Sequence, residues 1–227
     1  MNPETWSAAD EFLAATLLGR DAPLAECLAA NQREGLPSID VSPLQGKFLT
    51  LLAQIQGARR ILEIGTLGGF STICLARALP PDGALVTLEL NPHHAKVARS
   101  NIDRAGLGPK VELIEGPAID SLARLFAENR PPFDFIFIDA DKPGYPAYLE
   151  ASLKLARPGA VIIGDNVVRQ GQIADPSNAD PNVQAARTFI QQVAADPRLS
   201  ATVIQTVGKK GHDGLLISRV IQSSAAI

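Results

Sequence analysis

The run FDFIFIDADKPGY, Phe133 to Tyr145, joins a strand-like stretch to a cluster of charged residues. It opens with a nearly continuous apolar stretch and ends in two aspartates, Asp139 and Asp141, with Lys142 beside them. A second run, GAVIIGDN (159–166), repeats the pattern and ends in Asp165 and Asn166. Both read as strands of a parallel sheet that is covered on both faces. Carboxylates at the ends of such strands must be hydrogen-bonded, paired or metal-bound, because isolated buried charge is very costly.

Further strands are expected at RRILEIG, ALVTLEL and KVELIEG. Helical segments lie between the strands at FSTICLARALP, NPHHAKVARSNIDRAG, AIDSLARLFAENR and YPAYLEASLKLAR. Alternation of this kind indicates an α/β fold with helices on both faces of a mostly parallel sheet. QAARTFIQQVAAD adds one more helix, and ATVIQTV and GLLISRV flank the turn-like GKKGHD as a closing antiparallel hairpin. Upstream, PETWSAADEFLAATLL and APLAECLAANQRE have helical spacing, and EGLPS breaks it. SPLQGKFLTLLAQIQ then starts a helix, with Ser42 as N-cap and Pro43 as first helical residue. The expected organisation is one domain over 1–227: N-terminal helices at 1–57, an α/β core at 58–220 and a loosely ordered tail at 221–227.

The chain has 227 residues and a formal net charge of -3, which suits one domain with a sizeable core. Mild acidity without a basic run gives no electrostatic reason to expect nucleic acid or an anionic membrane as partner. Two cysteines, Cys27 and Cys74, lie far apart and outside metal-type spacing, as in a reducing compartment. The start lacks a basic n-region and no apolar stretch is long enough to span a membrane. The expectation is a cytoplasmic protein.

Ligands of open α/β sheets bind outside the carboxyl ends of the strands. Four polar strand ends fall on that edge: the glycines after ILEI, then Glu89, Asp139 and Asp165. The first loop, EIGTLGGFS, departs from the dinucleotide fingerprint because Leu67 occupies the second glycine's place. What remains is Glu63, Gly65 and Gly69 in an E-x-G-x-x-x-G pattern, suited to a nucleoside without phosphates or to a plain strand-to-helix turn. Glu89 is placed to accept hydrogen bonds from both hydroxyls of a ribose.

The ordered set ILEIGTLGGFST, VTLELNP, IEGPA, FIFIDADK and GDN resembles the metal-dependent class I S-adenosylmethionine O-methyltransferases, the group of the caffeoyl-CoA and catechol O-methyltransferases. The resemblance runs from about DVSPLQGKFL to GHDGLLISRV. It implies a Rossmann-like, seven-stranded sheet with a reversed last strand, and a homodimer. It also implies that Glu63, Gly65, Thr66 and Ser71 hold the methionine part of S-adenosyl-L-methionine, with Gly69 in the same loop, and that Glu89 holds the ribose. Ala118 would lie against the adenine, Val41 would touch the cofactor, and Asp141, with Asp139 beside it, would approach the amino group. Residues alone would assign Val41 and Ala118 to ordinary packing.

Asp139, Asp165 and Asn166 offer only oxygen ligands, which favours Mg²⁺, with Mn²⁺ or Ca²⁺ as substitutes. The family's metal ligands occupy these three positions. Lys142 matches the family's lysine that takes the proton from the reacting hydroxyl, though by itself it reads equally well as a surface lysine. The acceptor would be a small catechol-like or hydroxycinnamoyl-type phenolic, whose hydroxyl a metal can acidify and orient. Rival readings are a nicotinamide oxidoreductase and a non-catalytic module binding a nucleoside cofactor.

His93 and His94 read as solvent-exposed, His212 as a turn residue and Trp6 as an N-terminal packing anchor. The segment DNVVRQGQIADPSNADPN is expected to be a substrate-side loop. Arg169 stands there where the plant branch of the family has an aromatic. It reads as a solvated arginine or as a group facing an anionic tail of the acceptor.

Overall fold

A computed structural model of the chain describes residues 2–221. Of the tail expected at 221–227, all but Ile221 lies outside the described residues. Three helices lead: α1 (Pro3–Leu17), α2 (Ala22–Arg33) and α3 (Pro43–Ile55). Each has a side-chain cap and an early proline; Ser42 Oγ, for example, accepts from the Gln45 N–H at 3.2 Å. There follow β1 (Arg60–Ile64), α4 (Phe70–Ala76), β2 (Ala84–Glu89), α5 (Pro92–Arg104), β3 (Val111–Glu115) and α6 (Ala118–Ala127). The chain continues through β4 (Phe133–Ile138), α7 (Tyr145–Leu155), β5 (Ala156–Gly164), α8 (Pro181–Ala195), β6 (Leu199–Gly208) and β7 (Gly211–Val220).

The strands form one seven-stranded sheet in the order β3-β2-β1-β4-β5-β7-β6. β7 pairs antiparallel with both β5 and β6, so it is the one reversed strand, as expected. Order reverses between β1 and β4, which makes their carboxyl ends the topological switch point.

Period-two alternation sends side chains of each central strand into two different apolar layers. On β4, Ile136 and Ile138 join a layer with Leu122, Leu149, Phe189 and Val193 from α6, α7 and α8. Phe135 and Phe137 point the other way, into a layer with Leu49, Phe70, Ile73 and Ala98 from α3, α4 and α5. All four of these β4 side chains are fully buried. At roughly 1.5–3 kcal/mol for each large apolar side chain, β4 alone anchors both layers.

The structure departs from the sequence reading at the closing hairpin. Gly208 pairs directly with Gly211, so the turn takes only Lys209 and Lys210. His212 and Asp213 therefore belong to β7, and His212 Nε2 lies 2.8 Å from Gln205 Oε1 across the pair. α8 begins three residues before the expected QAARTF, because Asp180 caps it and Pro181 fits its first position. Among the described residues no helix is long and apolar enough to cross a membrane. Cys27 and Cys74 are both buried and unpaired.

Candidate active site

Parallel register builds the site. Backbone pairing continues one residue past the strands: Asp139 N–H donates to Ile64 O at 2.9 Å and Asp165 N–H to Ile138 O at 3.0 Å. Ile138 lies opposite Gly164, so the next residues, Asp139 and Asp165, stand side by side on neighbouring strands. Asp165 is buried, and that burial, reinforced by the charge of Asp139, pushes its carboxyl well above the ordinary aspartate range. Donors partly offset this. Gln45 Nε2 donates to Asp165 Oδ2 at 2.5 Å and the Asn166 N–H to Oδ1 at 2.6 Å. On the other side of Asp139, Gly65 has φ +98°, and a Cβ there would lie 2.0 Å from Asp139 O. Only glycine lets these two strand ends come so close.

A cleft of about 740 Å³ opens over these ends, a size typical of small-molecule sites. Val41, Gly65, Thr66, Ser71, Glu89 and Ala118 line it, and Asp139, Asp141 and Lys142 close its far side. Two residues expected at the cofactor do not reach the lining. Gly69 sits at φ +89°, and a Cβ there would touch Ala98 and Ile102, so its place is the packing of α4 on α5. Glu63 is fully buried beneath the floor. Its carboxylate accepts from Ser71 Oγ at 2.6 Å, from Thr87 Oγ1 at 2.7 Å and from Thr72. Desolvation outweighs those three hydroxyls and lifts Glu63 to about 7. Glu63 thereby ties β1 and β2 to the first turn of α4 and fixes Ser71 on the wall.

Glu89 is similarly engaged by the loop. Its Oε2 accepts from the N–H groups of Thr66 (3.2 Å) and Leu67 (2.8 Å), and its Oε1 from Asn91 N–H (2.9 Å). Leu67 adopts φ 50°, a left-handed conformation that these bonds to Glu89 hold in place. Contrary to expectation, His94 is not on open surface: it lines the cleft, with Nδ1 3.5 Å from Glu89 Oε1. His93 is exposed.

Lys142 starts a short 3-10 turn, Lys142–Gly144, capped by Asp141, whose Oδ2 accepts from Gly144 N–H at 3.0 Å. The lysine is only 6 % exposed, which excludes a surface role. Its Nζ lies 2.6 Å from Tyr145 Oη, 3.3 Å from Ala140 O and 3.4 Å from Asp139 Oδ1. Tyr145 is fully buried, and its hydroxyl reaches Ile138 O and Asp165 O, both at 3.0 Å. Burial first, then the charges of Asp139 and Asp165, raise its pKa well above the ordinary tyrosine value, so it stays protonated. Tyr148 Oη donates to Asp141 Oδ1 at 2.6 Å, fixing the second aspartate of the motif.

A second cavity of about 530 Å³ adjoins the first. Val41, Asn166 and Arg169 line both. Asp139 faces the first and Asp165 the second, so the three oxygen-bearing residues singled out in the sequence meet where the cavities join.

Gln45, Tyr145, Tyr148 and His94 had no role in the sequence reading. Gln45 stands three residues after the Ser42 N-cap, where the side chain often turns back to its own helix; here it crosses to Asp165 instead. Tyr145 follows Lys142 by three residues, and the Pro143-Gly144 turn between them is the signal that could have paired them.

A parallel sheet with one reversed strand and a nucleoside-sized cleft at its switch point defines a Rossmann-like methyltransferase. The O-methyltransferase family model matches residues 19–221, and the chain belongs to that family. It is an S-adenosylmethionine-dependent O-methyltransferase. It is 53 % identical over 211 residues to a catechol O-methyltransferase of Mycobacterium tuberculosis, covering 93 % of this chain and 94 % of that one. A catechol O-methyltransferase of Niastella koreensis is 47 % identical over 220 residues, covering 97 % of this chain and all of its relative (100 %). The crystal structure of an O-methyltransferase from Bacillus cereus in complex with SAH superposes with a TM-score of 0.95 at 56 % identity, covering 96 % of this chain and 100 % of that one. Family membership removes the nicotinamide reading.

Proposed function

We propose that this O-methyltransferase is divalent-metal-dependent and methylates a hydroxyl of a small catechol-like or hydroxycinnamoyl-type phenolic. The observation that carries this reading is the junction of the two cavities, where Asp139, Asp165 and Asn166 converge beside the buried Lys142. The names of the two relatives support the acceptor class. The complex of the Bacillus cereus protein supports the first cleft as the donor site.

The residues fit a hard cation. Two carboxylates and one amide supply oxygen donors alone, and Asp165 is held above its ordinary range by burial and by Asp139, a repulsion that a cation between them would relieve. When bound, the donor supplies a sulfonium methyl and the cation a Lewis acid that acidifies a coordinated hydroxyl. Lys142 receives the acceptor's proton at Nζ. Tyr145 holds that nitrogen toward Asp139 rather than toward solvent. Ser71, Thr66 and Glu89 orient the donor along the first cleft, and Gln45 keeps the Asp165 carboxylate turned to the junction.

A cytoplasmic location and pairing with a second copy of the chain complete the proposal. α1 has no buried residue and leaves Phe12, Leu13 and Leu17 exposed, apolar surface suited to a homodimer contact.

The test is methyl transfer from radiolabelled donor to a panel of vicinal diols, with EDTA and after added Mg²⁺. Turnover lost with EDTA and restored by Mg²⁺ is expected. No turnover on any diol overturns the acceptor class, and full turnover in EDTA overturns the metal.

A further inference from the structure

We infer that Arg169 recognises a carboxylate on the methyl acceptor, so that the enzyme prefers aromatic acids over their neutral counterparts. This rests on the function proposed above, takes the second cavity, which adjoins the donor cleft, as the place of the acceptor, and adds a chemical class that the diol alone does not specify.

Arg169 is half-buried and borders both cavities. Its backbone is held in an unusual place. Arg169 and Gln170 have φ 53° and 57°, and Gly171 follows at 80°. A long side chain rarely adopts the left-handed region, and such outliers cluster at ligand sites. Asp213 Oδ1 pins this stretch, accepting from the N–H groups of Val168 (3.0 Å), Arg169 (3.0 Å) and Gly214 (2.9 Å). Asp213 thus fixes the backbone of this stretch and, among the described residues, forms no ion pair with the Arg169 guanidinium.

Among the described residues the guanidinium itself has no hydrogen-bond acceptor. Arg169 Nε is buried and has no hydrogen-bond partner, and among the described residues no carboxylate forms an ion pair with Arg169. Asp180 feels its charge but lies outside ion-pair range. A buried donor without a partner is rare in native proteins and points to a group that arrives with a ligand.

The other charges of the second cavity are engaged. Asp10 accepts from Lys209 N–H at 2.8 Å, Asp40 from Asn31 Nδ2 at 2.8 Å, and Asp165 from Gln45 and Asn166. Lys210 Nζ donates to Ser38 O at 3.4 Å. The rest of the wall is largely apolar, with Leu44, Phe48, Ile204 and Leu215 forming a slot for a ring or an alkenyl chain. A planar fork at the edge of an apolar slot matches an aromatic carboxylate, which it can grip with two parallel hydrogen bonds. The donor's methionine end also carries a carboxylate. We assign the acceptor as the source because Arg169 shares this slot with Asp165 and Gln45 on the acceptor side of the junction.

Isothermal titration tests the assignment on protein saturated with S-adenosylhomocysteine, in EDTA so that metal contacts do not contribute. The probes are 3,4-dihydroxycinnamic acid and its methyl ester. Wild type should bind the acid roughly tenfold or more tightly than the ester, as a charge-assisted pair predicts. Arg169→Gln should erase that preference by weakening the acid alone, and Arg169→Lys should restore part of it. Affinity for S-adenosylhomocysteine should stay unchanged in both variants. Equal affinity of wild type for acid and ester, or binding of neither, overturns the inference without need of a variant. So does a preference that survives in Arg169→Gln, or a loss of S-adenosylhomocysteine affinity, which would place the carboxylate on the donor. Failure of the diol panel would instead leave this acid-to-ester ratio intact, so the two ideas fail separately.

Discussion

Lys142 Nζ lies 2.6 Å from Tyr145 Oη, the shortest of the hydrogen bonds that the amine makes. The tyrosine hydroxyl in turn spans the carbonyls of Ile138 and Asp165, the last residue of β4 and the first residue after β5. One phenol therefore couples the position of the proposed base to the two strand ends that carry the proposed metal ligands.

Tyr145→Phe keeps the ring in its edge contact with Phe189 but removes that coupling. Lys142 loses its nearest partner and two buried carbonyls lose a donor. We expect kcat to fall by about one to two orders of magnitude with the donor KM little changed, and stability to fall by about 1–3 kcal/mol. Steady-state kinetics and urea denaturation read the two effects separately. Wild-type kcat in this variant would remove Tyr145 from any role in placing the base.

Asp165→Ala should divide metal from donor. The residue faces the second cavity and is absent from the lining of the first, so S-adenosylhomocysteine binding by calorimetry should survive largely intact. Methyl transfer to a vicinal diol should drop by at least roughly 100-fold, because a missing carboxylate leaves the proposed cation with too few anionic ligands. Equal loss of donor binding and turnover would contradict this division of labour.

Glu63 makes a pH prediction whose sign is the reverse of the usual carboxylate. Its folded pKa is raised, from the ordinary 4.5 to about 7, so the folded state binds the proton more tightly than the unfolded chain does. Its contribution is therefore fully present below about pH 4.5 and is lost as pH rises to about 7. The displacement corresponds to roughly 3 kcal/mol. Glu63→Gln should flatten that part of the profile, since a neutral amide has nothing to titrate. Chemical denaturation of both proteins at several pH values from 5 to 8 measures the difference, and parallel profiles would show that Glu63 is ionised throughout.

The strands were legible because their apolar runs are short, nearly continuous and bounded by turn residues. The reversed β7 was legible from the hairpin pattern together with the family resemblance. What the sequence could not supply was register. Nothing in FDFIFIDA or GAVIIGD says that Ile138 faces Gly164, yet that pairing alone sets Asp139 beside Asp165. Partners distant in sequence were equally hidden: Gln45 lies 120 residues from Asp165. His212 was misplaced because a two-residue turn between Gly208 and Gly211 needs fewer residues than GKKGHD offers. Glu63 and Gly69 were grouped with the cofactor loop by motif, whereas the fold uses one beneath the cleft floor and the other in the packing of α4 on α5.

Gly65 carries the sharpest steric prediction. The residue sits at φ +98°, where a side chain is strained whatever the space around it. Here the space is also missing, since the added Cβ of Gly65→Ala would fall 2.0 Å from Asp139 O and 3.3 Å from Ala140 Cα. Both obstacles are backbone atoms at the end of β4, so relief requires the ends of β1 and β4 to separate rather than a side chain to turn. That separation breaks the bond from Asp139 N–H to Ile64 O and moves Asp139 away from the cleft. We expect a loss of about 3 kcal/mol or more in urea denaturation, and donor affinity weakened at least tenfold by calorimetry. Gly68→Ala is the informative control. The Cβ there would meet the side chain of Asn31, which is buried and bonded to Asp40 and Asn101, so stability is lost there too, but the ends of β1 and β4 stay in place and donor affinity should be the less affected. If the two variants bound S-adenosylhomocysteine equally well, the close approach of β1 to β4 would not be what shapes the donor site.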